Sequence, residues 1–103
     1  MYLKRIPAYR DIIAISDSEL IGKKFVEGEK QLDIKETFYK GEILSEKEVE
    51  EIILFGIKED ATFNIVGERA INLAIKVGLI TKESVGVIDK IPYSLVLLWI
   101  SFL

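Results

Sequence analysis

Two periods of apolar spacing divide this chain. Near the start and near the end, β-branched and other apolar residues gather in short alternating runs, the pattern of strands. In the middle they recur every third or fourth position, the pattern of helices packed on one face. Residues 2–6 and 11–16 read as two strands joined through the segment beginning at Pro7, with Ile12, Ile13 and Ile15 supplying the β-branched content. Pro7 suits a strand end, where a missing amide donor does no harm. Asp17 stands where it can cap a short helical turn over 18–22. Residues 31–34 predict a third strand, and 37–42, with Phe38, Tyr39 and Gly41, predict a turn.

Ser45 followed by Glu48 is a capping-box pattern and opens a helix of about ten residues. Its core face is Val49, Ile52 and Ile53; Glu46, Lys47, Glu50 and Glu51 face water, and Gly56 is placed to end it. The second helix is expected to start within 62–65 and to present Val66, Ala70, Leu73, Ala74 and Val77 on one face before ending at Gly78. Two last strands are expected at 85–88 and 94–100, with a short connection over 89–92. In the final strand both alternating faces are apolar: Val96, Leu98 and Ile100 on one, Leu95, Leu97 and Trp99 on the other. A strand of that kind wants cover on both sides. These elements predict an α+β fold: a compact two-layer α/β domain, with a small, mainly antiparallel sheet and two main helices on one face.

Composition narrows the chemistry. The chain has 103 residues, 50% hydrophobic and 30% charged, a globular balance that reads as a single domain over residues 1–103. It contains no Cys and no His. Disulfides and thiol nucleophiles are therefore excluded, and the commonest neutral-pH proton carrier is missing. A metal would need oxygen ligands; the carboxylate pairs Glu27 with Glu29 and Glu36 with Glu42 are the candidates and read as a solvated face, so no cofactor, metal or catalytic residue is assigned. Abundant Ile, Lys and Glu resemble a thermophile's composition. No apolar leader follows Met1, and the C-terminal apolar run is too short to span a bilayer, which predicts a cytoplasmic protein without a membrane partner.

The net charge is −3, and residues 41–68 carry eight acidic groups against two basic ones. A basic footprint for DNA is absent. Lys4, Arg5, Arg10, Lys23 and Lys24 form a patch only if the fold gathers them. Gly22-Lys23-Lys24 is not the end of a phosphate loop, because Asp17 stands where a Gly is needed and no Ser or Thr follows the Lys.

The densest polar group within an apolar segment is Asn64-Ile65-Val66-Gly67-Glu68-Arg69-Ala70. On a helix, Asn64, Glu68 and Asn72 lie along one strip with Arg69 beside it. Asn64, Gly67, Glu68 and Arg69 are accordingly the candidate ligand-binding residues; the competing structural role is a clasp holding a loop. Lys23, Lys24 and Tyr39 are candidates for RNA, through charge and stacking. Leu95, Leu97 and Trp99 are candidates for an interface with a protein partner or a second copy.

The order and spacing of several blocks resemble a small archaeal family catalogued as a domain of unknown function (DUF 424). Its carriers are Asp17-x-Glu19-Leu20-x-Gly22-Lys23-x-Phe25-x-Glu27-Gly28, Phe38-Tyr39-x-Gly41-Glu42, the 64–70 motif, Ala74, Gly78-Leu79 and Ile91-Pro92. The resemblance implies a compact two-layer α/β domain and an archaeal source, and no activity. Relatives often carry His after the Pro; here Tyr93 stands there. The favoured expectation is a non-enzymatic binding module, associated with translation or a ribonucleoprotein. The alternative is a small ligand- or divalent-metal-binding protein or enzyme using the 64–69 motif.

Overall fold

A computed structural model describes residues 1–97; residues 98–103, Trp99 among them, lie outside the described part. The chain runs β1 (Tyr2–Ile6), β2 (Ile12–Ser16), β3 (Lys24–Glu27), β4 (Lys30–Asp33), α1 (Glu36–Tyr39), β5 (Glu42–Ile43), α2 (Glu46–Lys58), β6 (Thr62–Val66), α3 (Glu68–Lys76), β7 (Gly86–Ile88) and β8 (Ile91–Leu97). Short 3-10 turns occupy Ser18–Leu20 and Lys82–Ser84. Six strands form one sheet in the order β5-β1-β2-β6-β8-β7, and β3 and β4 form a separate hairpin. Only β2 and β6 pair in parallel; the other pairings are antiparallel. The fold is α+β, as the two periods imply.

The central pair explains the core. Ile13 and Ile15 of β2 and Phe63 and Ile65 of β6 point to one face, where Val49 and Ile53 of α2 and Ala70, Leu73 and Ala74 of α3 cover them. Successive residues of a strand alternate faces, so Ala14 and Val66 point the other way. There Leu20, Ile34 and Tyr39 meet them in a second core, with Phe25, Leu32 and Tyr93 packed against it. The two main helices thus lie on one face, and the hairpin with α1 covers part of the other.

Several elements differ from the pattern reading. The segment 62–66 is a strand, not the start of a helix; α3 begins at Glu68. A strand and a helix abut there with only Gly67 between them, so their apolar positions merge into one apparent helical face. Gly67 separates them, with φ of 107°, a conformation that side chains rarely adopt. Helix α2 also continues past Gly56 to Lys58. Gly56 is a contact residue, since a Cβ there would meet Ile13 Cδ1 at 2.8 Å and Phe63 Cζ at 2.9 Å. The helix ends instead at Lys58, and Asp60, two residues on, turns the chain away with φ of 54°. β3 has no counterpart in the sequence pattern, and 36–39 closes into a helical turn where the pattern predicts only a turn. The last connection is shorter than expected: β7 and β8 are joined by Asp89 and Lys90, with φ of 48° and 67°. Two successive positive φ values are what a type I′ hairpin requires.

Candidate functional site

Asp17 organises the 64–69 segment from a distance. It follows β2, and its amide donates to the Val66 carbonyl at 3.1 Å. Its carboxylate accepts from the amides of Arg69 at 3.0 Å and Ala70 at 2.8 Å. These are orphan donors of the first turn of α3, whose N-cap, Gly67, has no side chain to offer. Gly67 lets the carboxylate in: a Cβ would sit 2.6 Å from Asp17 Oδ2. The Gly67 amide donates to the Pro92 carbonyl at 2.9 Å, tying β8 into the same junction. The sequence pattern assigns Asp17 to the turn that follows it, but its side chain makes no cap bond there. Asp17 and Ala70 are 53 residues apart, so no local signal could have paired them.

This placement separates the candidate residues. Asn64 lies on β6, opposite Ala14 of β2 and Leu95 of β8, on the face away from α2 and α3. Glu68 and Arg69 are exposed on the first turn of α3. They therefore form no strip with Asn64. A helix N-terminus attracts anions, but here Asp17 already occupies that position. Burial is the largest influence on the Asp17 carboxyl and raises its pKa above 3.8; the two amides act against burial, Glu19 with it, and the Arg69 charge against it. Among the described residues no group of three or more acidic side chains could hold a metal ion.

The basic candidates are dispersed as well. Lys4 and Arg5 are neighbours on β1 and so point to opposite faces; the Lys4 ammonium donates to the Thr37 carbonyl at 2.7 Å, while Arg5 lies by Phe55 on α2. Lys23 and Lys24 are exposed at the start of the hairpin. Tyr39 is only 9% exposed and meets Phe38 edge to face at 5.0 Å, so its ring belongs to the core and is no open stacking platform.

Leu95 and Leu97 are 58% and 38% exposed. Register places them in two rows across the sheet: Lys4, Ala14, Asn64 and Leu95, then Ile6, Ile12, Thr62 and Leu97. The intervening Val96 turns towards the helices and packs on their core. Ser94, on the same side, is buried and donates to the Ser84 carbonyl at 3.1 Å. Beyond Tyr93, one face of β8 is covered and the other is open. β7 pairs only with residues 91–93 of β8. Beyond Tyr93 the outer edge of β8 has no strand partner among the described residues. Trp99, the third interface candidate, lies outside the described part.

Two clefts flank Arg5. One, of about 320 Å³, opens between the β1–β2 loop and the end of α2, with Ile13, Gly56 and Ala61 beneath it. Its walls bring together Arg5, Tyr9, Arg10, Asp11, Phe55 and Glu59. The other, of about 530 Å³, combines Leu3, Leu44 and Ile52 with Glu42, Glu48 and Glu51. Sequence reasoning missed the first cleft, because its aromatic residues sit in segments 46 positions apart.

A mixed six-stranded sheet, with two helices on one face and a hairpin on part of the other, defines the molecule as a small α+β domain. The chain belongs to the DUF424 family of proteins of unknown function, whose model matches residues 5–98. It is also similar to the crystal structure of an uncharacterised conserved protein from Methanopyrus kandleri, with a TM-score of 0.81 at 21% identity over 92% of this chain and 88% of that one. At that identity the likeness speaks to the fold. No curated protein matches the chain. No helix among the described residues is long and apolar enough to cross a membrane.

Proposed function

We propose that the protein is a non-enzymatic binding module that pairs with a second copy of itself through β8. The observation that carries this reading is the half-open β8 strand, with Leu95 and Leu97 exposed on one face and, among the described residues, no strand beside residues 94–97 on the outer edge. An open, apolar strand edge is a template for strand addition. Residues 91–103 include no charged side chain, so two copies can align antiparallel about a two-fold axis without like-charge repulsion. A stable interface needs roughly 800 Å² from each partner. Four paired residues supply too little alone; the exposed side chains of Leu95 and Leu97, on the strand that forms the edge, add to them.

Sedimentation equilibrium tests the reading. The native chain is expected to be a dimer, and the double variant Leu95→Asp with Leu97→Asp a folded monomer. Because both side chains are already exposed, the substitutions leave the core intact. A native chain that stays monomeric throughout the accessible concentration range overturns the proposal.

A further inference from the structure

The cleft between the β1–β2 loop and the end of α2 has the composition of a nucleotide site, and we propose that it binds a guanine nucleotide. Tyr9 is 98% exposed and Phe55 54% exposed. Both residues line one cleft, and large aromatic surface left in water at a concave site is more informative than scattered exposure. Each ring has a guanidinium 5.9 Å from its centre, Arg5 over Phe55 and Arg10 over Tyr9. Arg10 also reaches Asp60 at 3.6 Å, which ties the loop carrying Tyr9 to the end of α2.

Nucleobases stack on aromatic rings and on guanidinium planes alike. The acidic members of the wall select among bases. Asp11 and Glu59 are acceptors, and guanine presents two adjacent donors, N1–H and the 2-amino group, that a carboxylate can take together. Adenine and cytosine place a ring-nitrogen acceptor beside their amino group, and a carboxylate repels it. Arg5, exposed and shared by the two clefts, supplies the forked donor that suits a phosphate.

A cavity of about 320 Å³ falls at the small end of the roughly 300–1,000 Å³ typical of ligand pockets, which suits one nucleotide. A long strand is a poorer fit, because the basic side chains are scattered and cannot track successive phosphates. The ligand is therefore a free guanosine phosphate or the terminal guanosine of an RNA strand, which share this chemistry.

Isothermal titration calorimetry with guanosine 5′-monophosphate, adenosine 5′-monophosphate and a short single-stranded RNA ending in guanosine 5′-phosphate tests the site. Guanosine monophosphate is expected to bind at least about tenfold tighter than the adenosine compound. Tyr9→Ala and Arg5→Ala should each weaken it at least about fivefold. Glu59→Gln should narrow the discrimination between the two bases. Tyr9 is almost wholly exposed, so Tyr9→Ala keeps the fold and its loss of binding is local. Tighter binding of the RNA than of the mononucleotide would name a strand end as the source, and the reverse a free nucleotide; either supports the site. Equal affinity for both mononucleotides, no binding of any probe, or binding indifferent to Tyr9→Ala and Arg5→Ala would overturn it. Leu95→Asp, remote from this cleft, should leave the affinity unchanged, which separates the site from the proposed dimer.

Discussion

The carboxylate of Asp17 does for α3 what a side chain of the helix's own N-cap ordinarily does. Gly67 makes this possible by leaving room, so the two residues act as one device. Gly67→Ala would push a methyl group into Asp17 at a position where φ is 107°. Steric overlap and backbone strain together should destabilise the protein by about 2–4 kcal/mol, read as a lower urea midpoint. The acid itself gives a signed prediction. Burial raises the Asp17 pKa in the folded state above its ordinary 3.8, so the folded chain holds this proton more tightly than the unfolded one. The contribution of this group is fully present below pH 3.8. It is lost as pH rises through the raised folded value, and is constant above that. Asp17→Asn abolishes this slope. Urea denaturation across the acidic range should therefore show wild type losing stability relative to Asp17→Asn as pH rises. The opposite slope would mean that the amides of Arg69 and Ala70 outweigh burial.

Between β7 and β8, Asp89 and Lys90 both hold positive φ, where Gly is favoured at the second position of a type I′ turn. Lys90→Gly should therefore raise stability by about 0.5–1 kcal/mol despite the flexibility it adds to the unfolded chain. The Asp89 amide still donates to Glu27 Oε1 at 2.8 Å, and a fall in melting temperature would show that the turn is not strained. Ser45→Ala should cost about 1 kcal/mol by the same measurement, since its hydroxyl accepts from the Glu48 amide at 3.2 Å while the Glu48 carboxylate accepts from the Ser45 amide at 3.0 Å. These two cases bracket what is legible in the sequence. The capping box is local, with its two residues three apart, so Ser45 and Glu48 mark the start of α2 by themselves. The type I′ turn carries neither Asn nor Gly at its centre, so the pattern places a connection over 89–92 without marking its two-residue length. The break between β6 and α3 occupies one residue, so hydrophobic spacing runs through it and puts Asn64 on a helix. The clasp at Asp17 and the cleft at Tyr9 both depend on contacts across the fold, beyond the reach of spacing. Leu95 and Leu97 are legible, because alternating apolar residues expose their excess directly.

The sheet is covered unequally, and that asymmetry sets what the whole molecule can do. Helices α2 and α3 close one face, whereas the hairpin and α1 shelter only the part of the other that holds Ala14, Val66 and Tyr93. The other end is finished by nothing in the described chain: Leu95 and Leu97 stand open on the face, and the β8 edge beside them is unpaired. If a second copy completes both, pairing orders the backbone as well as burying side chains. Backbone amides at an open edge exchange with solvent freely, while those bonded within a sheet are protected. Hydrogen exchange should therefore slow with rising protein concentration at those amides of residues 95–97 that do not bond to β6. Amides on β1 and β2, paired within one chain, should show no such dependence. The contact is uncharged, so added salt should leave the effect in place. Nucleotide binding at Arg5, by contrast, should weaken as salt rises, because it depends on a phosphate. Uniform exchange at all concentrations would mean that the edge of β8 stays solvated and that the exposed leucines have another partner.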